Sequence, residues 1–479
     1  MALPTKKSKI ICTIGPASRD QEILEQMLRA GMNIARINLA HGELDDHRQT
    51  IASVRAAAYA TGQRVAIFAD LPGPKMRVGQ LEQDEVWLER GQQFTLHNKE
   101  ILGDQTRASV NFEGLPGVVK PGDSIFMNDG NIQLKVERVV GDQVQCIVKV
   151  GGELRSHKGV NFPGIDLGIS ALTDRDRELL VFAAEQNLDG IGESFVQSAD
   201  DIQDLRSAAA ALDFDPMIIA KIERAGALDN IDQILEVSDG IMVARGDLGV
   251  EIPIEKIPLV QKELIRKANL VGKPVITATQ MLESMTHNRR PTRSEATDVA
   301  NAILDGSDGV MLSGETAVGR YPVETVAMMS NLACEAEAKM QTLGIANILK
   351  LKQAREEISQ SDLIALAIYL TIETVRPVLV IILANTGDTV RRVSRFHLEQ
   401  WIIAPSQNEI TCQRLEFSRG VLPAHTVDKS LLSTPESRRQ YAVGQLETYG
   451  IDCGLVLLVE GSGTLKAEDT KRIDIIDLG

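Results

Sequence analysis

Eight short β-branched runs, each followed by a longer amphipathic stretch, limit what this chain can fold into more than any other feature. They are KIICTIG from Lys9, NIARINL from Asn33, RVAIFAD from Arg64, DGIGESF from Asp189, PMIIAKI from Pro216, DGIMVAR from Asp239, KPVITAT from Lys273 and DGVMLSG from Asp308. Strands that alternate with helices pair in parallel, and eight such units close into a (β/α)8 barrel. Helix starts are marked by hydroxyls followed three residues on by a carboxylate or amide: Ser18 with Gln21, Ser198 with Asp201, and Thr292 with Glu295.

The rhythm breaks once. Between Asp70 and about Gly168 the helical period vanishes, and EVWLERGQQFTLH, GDSIFMNDGNIQLKVERVVGDQVQCIVKV and GGELRSHKGV alternate between Gly, Asp and Asn turns. This predicts a small antiparallel β-barrel inserted after the third strand, a lid beside the barrel mouth. Beyond Ile345, a helical pattern from Ser361 and the strands VLVIILA, QWIIAP, GLVLLVEG and RIDIID describe a doubly wound α/β layer. The expected domains are a catalytic barrel over 1–70 and 168–345, the lid over 71–167, and a C-terminal regulatory domain over 346–479.

Composition excludes several function classes. A net charge of −15 leaves no basic field to hold nucleic acid. The apolar run near the start is interrupted by Thr13 and Gly15 before it could serve as a signal peptide. VLVIILA falls far short of the roughly 20 residues a membrane span needs, so no membrane partner is expected. The cysteines at 12, 146, 334, 412 and 453 form no CxxC pair, and the expectation is reduced thiols in the cytoplasm.

In such a barrel, catalytic groups collect at the C-terminal ends of strands. Those positions are unusually charged: Arg36 and Asn38 close the second run, Asp70 the third, Lys221 and Glu223 the fifth, Asp247 follows the sixth, and Thr279 ends the seventh. Lys221 and Glu223, two apart, face the same side. Alone, the pair reads as an ion pair plugging the barrel. Asp247, set between glycines in VARGDLG, changes the balance, because backbone N–H groups there can converge on an anion while Asp247 and Glu223 share a cation. Two carboxylates without His or Cys suit Mg²⁺ or Mn²⁺ better than zinc. Arg245-Gly246-Asp247 also spells a cell-adhesion triplet, a reading that a cytoplasmic barrel disfavours.

The stretches KIICTIGPAS, ARINLAHG, KIERAGALDNIDQILEVSDGIMVARGDLGVEIP, ITATQMLESM and RRPTRSEATDVANAILDGSDGVMLSGETAVGRYPVE resemble the pyruvate kinase family from about Lys9 through Met340, less closely in the insertion and least after Ile345. The resemblance implies phosphoryl transfer from phosphoenolpyruvate to ADP, giving ATP and an enolate that is protonated to pyruvate. By the same resemblance Lys221 contacts the moving phosphoryl group, Glu223 and Asp247 hold Mg²⁺ or Mn²⁺, and Gly246, Asp247 and Thr279 grip the substrate carboxylate. Thr279, with Ser313 nearby, is a candidate for passing the proton to the enolate carbon. Arg36 matches a contact to the substrate phosphate, Arg77 and Lys158 match nucleotide-phosphate contacts, and His41 lies by the adenine. The resemblance also implies a homotetramer. A lyase or aldolase of related barrels, with Lys221 as a Schiff base, and a catalytically silent metabolite-sensing paralogue are the rival readings.

The chain departs from the family in three places. After His41 it reads Glu43-Leu44-Asp45-Asp46 where an aromatic residue is common, which leaves base selectivity open. In the C-terminal domain, the loop that binds a phosphorylated effector in some members is represented by Thr386, Gly387 and Thr389, with Asp388 putting negative charge where phosphate would sit; the later loop EGSGTLK from Glu460 lacks a tryptophan or arginine. Weak or absent activation by fructose 1,6-bisphosphate is expected. Finally, of the residues that hold K⁺ in many members, Asn38 and Asp70 remain, but Ala40, Leu71 and Lys75 stand where Ser, Thr and Glu are found. The expectation is that the Lys75 ammonium pairs with Asp70 and replaces K⁺.

Overall fold

The eight runs become the strands β1 (Lys9–Thr13), β2 (Ile34–Asn38), β3 (Ala66–Asp70), β4 (Gly190–Glu193), β5 (Met217–Ile222), β6 (Gly240–Ala244), β7 (Val275–Ala278) and β8 (Gly309–Leu312) of a closed, all-parallel barrel. The computed structural model describes residues 2–340, 344–426, 434–461 and 470–479. Each strand pairs with its neighbours in chain order, and β8 closes on β1. Alternation then sorts the side chains. Ile10, Ala35, Ile67, Ile218 and Ala220 pack outward under the helices, while Ile11, Ile34, Phe68, Met217, Ile219 and Met242 fill the lower barrel. Carried two residues further, the inward series becomes Thr13 on β1, Arg36 on β2, Asp70 on β3 and Lys221 on β5.

The capping expectation holds at Thr292, whose backbone and hydroxyl exchange hydrogen bonds with Glu295, and at Ser198, whose N–H donates to the Asp201 carboxylate at 2.9 Å. It fails at Ser18. The helix Gln21–Ala30 starts after Asp20, and the buried Ser18 hydroxyl turns back to accept the Gly15 N–H, closing the preceding turn instead.

The insertion after β3 is built of β-strands around one apolar core that includes Leu88, Phe94, Leu96, Ile125, Ile132 and Val148. Its hydrogen bonding divides into a six-stranded and a two-stranded sheet rather than one continuous antiparallel ring. One pair, Gln93–His97 with Arg107–Ser109, is parallel, because the chain between them crosses back before pairing.

The C-terminal sheet has the order β11–β10–β9–β12–β13, from β9 (Leu379–Ile382), β10 (Ile402–Ser406), β11 (Val421–His425), β12 (Leu455–Gly461) and β13 (Thr470–Asp477). All pairs are parallel except the edge strand β13. The segment β11, which carries Pro423, has no counterpart among the strands read from the sequence. This domain caps the bottom of the barrel: Phe417 enters the lower barrel core edge-on to Phe68, and Lys9 makes a buried ion pair with Glu416 at 3.1 Å. Among the described residues no helix is long and apolar enough to cross a membrane.

Candidate active site

At the barrel mouth, the inward alternation brings four charged side chains together. Asp70 is 2% exposed; its Oδ2 accepts from Arg36 Nε at 3.0 Å and from the same guanidinium's NH2, and it makes an ion pair with the Lys221 ammonium at 3.3 Å. Arg36 also donates to Thr13 Oγ1 at 2.8 Å. Lys221 lies 2.7 Å from Glu223 Oε1, and Glu223 Oε2 accepts the Phe195 N–H at 3.0 Å.

Electrostatics follows from this crowding. Burial pushes the Asp70 carboxyl up, but the Lys221 and Arg36 charges outweigh it and hold it below the usual carboxylate range. Burial works against the Lys221 ammonium, yet Asp70 and Glu223 raise it well above an ordinary lysine. Glu223 goes the other way: burial, reinforced by the Asp247 charge, outweighs Lys221 and raises it. A carboxylate driven up by burial and by a second carboxylate is a place where a cation stabilises both.

Asp247 sits in the first turn of the short helix Arg245–Glu251 that follows β6. Arg245 anchors that turn by donating to the carbonyls of Ala278 and Thr279, at 3.2 and 2.8 Å, and to Asp298 at 2.6 Å. The triplet that spells an adhesion motif is thus folded into the barrel rim. Thr279 has a left-handed backbone, φ 70, costly for a β-branched residue, and its hydroxyl accepts the Gly246 N–H at 2.8 Å. Gly246, Asp247, Thr279, Ser313 and Lys75 line one open cavity of about 1200 Å³.

Lys75 does not meet Asp70. Its ammonium lies 3.4 Å from Asp247 Oδ1, across the mouth, with both side chains about one-third exposed at 35% and 33%. Asp70 is buried and already flanked by two cations, whereas Pro72-Gly73-Pro74 carry the chain outward before Lys75 begins. Asn38 turns its Oδ1 to the Ala40 N–H at 3.2 Å. Arg77 and Lys158, far apart in sequence, are joined where the insertion begins and ends: Arg77 bridges Gly159, and the Lys158 carbonyl accepts the Val78 N–H at 2.9 Å. His41 is exposed, and its carbonyl faces the His47 ring at 2.8 Å. In the C-terminal domain, Gly387 has φ 82 before the helix Asp388–Ser394; Arg391 reaches the Thr386 carbonyl at 3.3 Å, and Asp388 pairs with Arg392 at 2.8 Å. The later loop lies outside the described residues beyond Gly461.

One residue of the site was passed over in the sequence. Ser194, 3% exposed, accepts from Lys221 Nζ at 2.6 Å and donates to the Leu71 carbonyl at 2.6 Å. Its signal was the inward parity of β4, where Gly190 and Gly192 precede it by four and two positions. Gly192 is needed there, because a Cβ would stand 2.6 Å from Asp70 Oδ1.

Glu223 and Asp247 fit a hard divalent cation: oxygen donors only, one buried and one about one-third exposed on an open cavity. Among the described residues no group of three or more His, Cys, Asp or Glu stands ready to hold a metal, so remaining ligands would come from substrate and water.

Fold and site together define a (β/α)8 enzyme whose mouth pairs fixed cations with buried and half-buried carboxylates beneath an inserted β domain. The model for "Pyruvate kinase, barrel domain" matches residues 5–326, and that for "Pyruvate kinase, alpha/beta domain" matches residues 362–475. The chain is 46% identical over 477 residues to a pyruvate kinase of Thermococcus litoralis, covering 98% of this chain and 95% of that one. It is 39% identical to a pyruvate kinase of Bacillus licheniformis, covering 99% and 81%. A crystal structure of a pyruvate kinase from Cryptosporidium parvum superposes with a TM-score of 0.90 at 34% identity, covering 99% of this chain and 97% of that one. The chain belongs to the pyruvate kinase family of enzymes.

Proposed function

We propose that this protein transfers the phosphoryl group of phosphoenolpyruvate to ADP, with Mg²⁺ or Mn²⁺ held by Glu223 and Asp247 and without a requirement for K⁺. The observation that carries this reading is the Lys221 ammonium, fixed between Asp70 and Glu223 at the strand ends of the barrel, beside the mouth cavity that Gly246, Asp247 and Thr279 line. A fixed ammonium favours the charge that builds on a phosphoryl group in flight and needs no reorganisation at that moment. Arg36 binds the substrate phosphate. The Gly246 N–H and Thr279 hydroxyl orient the carboxylate, and Thr279 then hands a proton to the enolate carbon. Arg77 and Lys158 hold the nucleotide phosphates at the base of the lid, which excludes water on closing. When bound, the divalent ion supplies Lewis-acid charge to the oxygens of both substrates.

A Schiff-base lyase needs a neutral amine at Lys221, and two buried carboxylates oppose that. The K⁺ reading now rests on a tethered ammonium, Lys75, at the mouth rather than on Asp70. The protein acts in the cytoplasm as a homotetramer, with domains at 1–70 plus 168–345, 71–167 and 346–479. Thr386, Gly387 and Thr389 form a phosphate loop already neutralised by the Asp388–Arg392 pair, so fructose 1,6-bisphosphate changes the half-saturating phosphoenolpyruvate concentration less than twofold. Lactate dehydrogenase coupling on purified protein tests the reading. Pyruvate formation must require ADP and a divalent metal, and a signal independent of ADP would point to the lyase instead.

A further inference from the structure

The Lys221 ammonium touches three groups: it donates to Ser194 Oγ at 2.6 Å and makes ion pairs with Glu223 Oε1 at 2.7 Å and Asp70 Oδ2 at 3.3 Å. Two are carboxylates; only the Ser194 hydroxyl is neutral. That hydroxyl gives its own proton to the carbonyl of Leu71, the first residue of the segment that leads out to the inserted domain. The next residue, Phe195, takes a left-handed backbone, φ 60, that aromatic residues rarely adopt, and so turns its N–H onto Glu223 Oε2. Gly73 of the hinge rests on the same corner. Its φ is 64, and a Cβ there would stand 2.9 Å from the Phe195 ring and 3.1 Å from Ser194 Cβ. One two-residue corner therefore touches the ammonium, a metal-binding carboxylate and the lid hinge.

We propose that Ser194 is a positioning residue that couples the lid hinge to Lys221. When a phosphoryl group arrives the ammonium must turn an N–H toward it, and giving up a neutral hydroxyl costs less than giving up a carboxylate. The place of that hydroxyl is set by the Leu71 carbonyl, so hinge movement that shifts Leu71 draws the hydroxyl with it and turns the N–H it held toward the barrel mouth. Lid position and catalyst orientation are then one motion. This rests on the phosphoryl-transfer reading, which the unmodified enzyme tests by itself.

The experiment compares Ser194→Ala, Ser194→Thr and unmodified protein in steady-state kinetics, with hydrogen exchange of the hinge peptide 70–77 measured without substrate. Ser194→Ala is expected to lower kcat about 10- to 100-fold, the scale of a catalytic group misplaced by about 1 Å, with the KM for phosphoenolpyruvate within about threefold. Ser194→Thr, which keeps the hydroxyl, is expected to recover most of kcat, and the hinge peptide is expected to exchange faster only in the alanine variant. The proposal is overturned if Ser194→Ala keeps kcat within twofold, if the Ala and Thr variants fall alike, or if hinge exchange is unchanged. Should Ser194→Ala not fold, Ser194→Cys keeps the volume with a much weaker acceptor, and native kcat in that variant overturns the proposal equally. If the unmodified protein makes no pyruvate from phosphoenolpyruvate and ADP, the phosphoryl-transfer reading fails, and hinge exchange alone decides the coupling.

Discussion

Replacing Lys221 with Met removes the ammonium while keeping an unbranched chain of similar reach. The ammonium sits 2.7 Å from one buried carboxylate oxygen and 3.3 Å from another. At an effective dielectric near 20 those separations correspond to about 6 and about 5 kcal/mol of attraction, before the desolvation of all three groups is subtracted. Most of that is offset, and what remains is the cost of stranding Glu223, which burial and Asp247 already raise. Breaking a buried pair from one side typically costs about 3–5 kcal/mol. Asp70 keeps Arg36, so the stability loss should fall at the low end, about 3 kcal/mol. Catalysis should suffer more: one preorganised donor is worth about 10²–10³-fold in kcat. The coupled assay reads kcat, urea denaturation reads stability, and Mn²⁺ titration by electron paramagnetic resonance reads the metal site, where affinity should rise because a neighbouring positive charge is gone. A variant that keeps more than one-tenth of kcat would refute the role given to Lys221.

Three further outcomes are expected. Glu193, 1% exposed on the outer face of β4 with neither carboxylate oxygen hydrogen-bonded, is raised well above its ordinary 4.5, by burial first and then by Asp176 and Asp201. The native state thus holds a proton that the unfolded chain releases, so stability falls as pH climbs above 4.5, and Glu193→Gln should raise the urea midpoint at pH 8 but not at pH 4. Phe417→Ala empties the floor of the barrel, at a typical cost of about 3–5 kcal/mol; calorimetry should show the C-terminal domain melting at lower temperature, and an unchanged scan would deny the plug. With tetramethylammonium as counter-ion, activity should vary less than twofold with K⁺, and Lys75→Glu combined with Ala40→Ser should introduce K⁺ activation; a many-fold response in the unmodified protein would remove Lys75 from that role.

Period and parity carry most of what the chain declares about itself. β-branched runs separated by amphipathic stretches call for a helix-covered parallel sheet, because each strand must bury both faces, and eight such runs in sequence suit closure into a barrel. The same parity that sends Met217 and Ile219 into the barrel floor forces Lys221 to its mouth with Glu223 two residues on, so these groups were legible one residue at a time. Pairings across the mouth were not. Lys75 follows Asp70 by five residues, yet it reaches Asp247, because two prolines and a left-handed Gly73 redirect the chain and Arg36 and Lys221 already neutralise the buried Asp70. Ser194 looked like part of a strand until folding placed the Leu71 carbonyl on one side of it and the Lys221 ammonium on the other. Phe417 gave no local sign that it closes the floor of a barrel built from other parts of the chain. Local pattern selects elements and the faces they present, since it depends on neighbours within a few residues. Which charge meets which partner depends on distances between segments far apart in the chain, and only the closed barrel sets those.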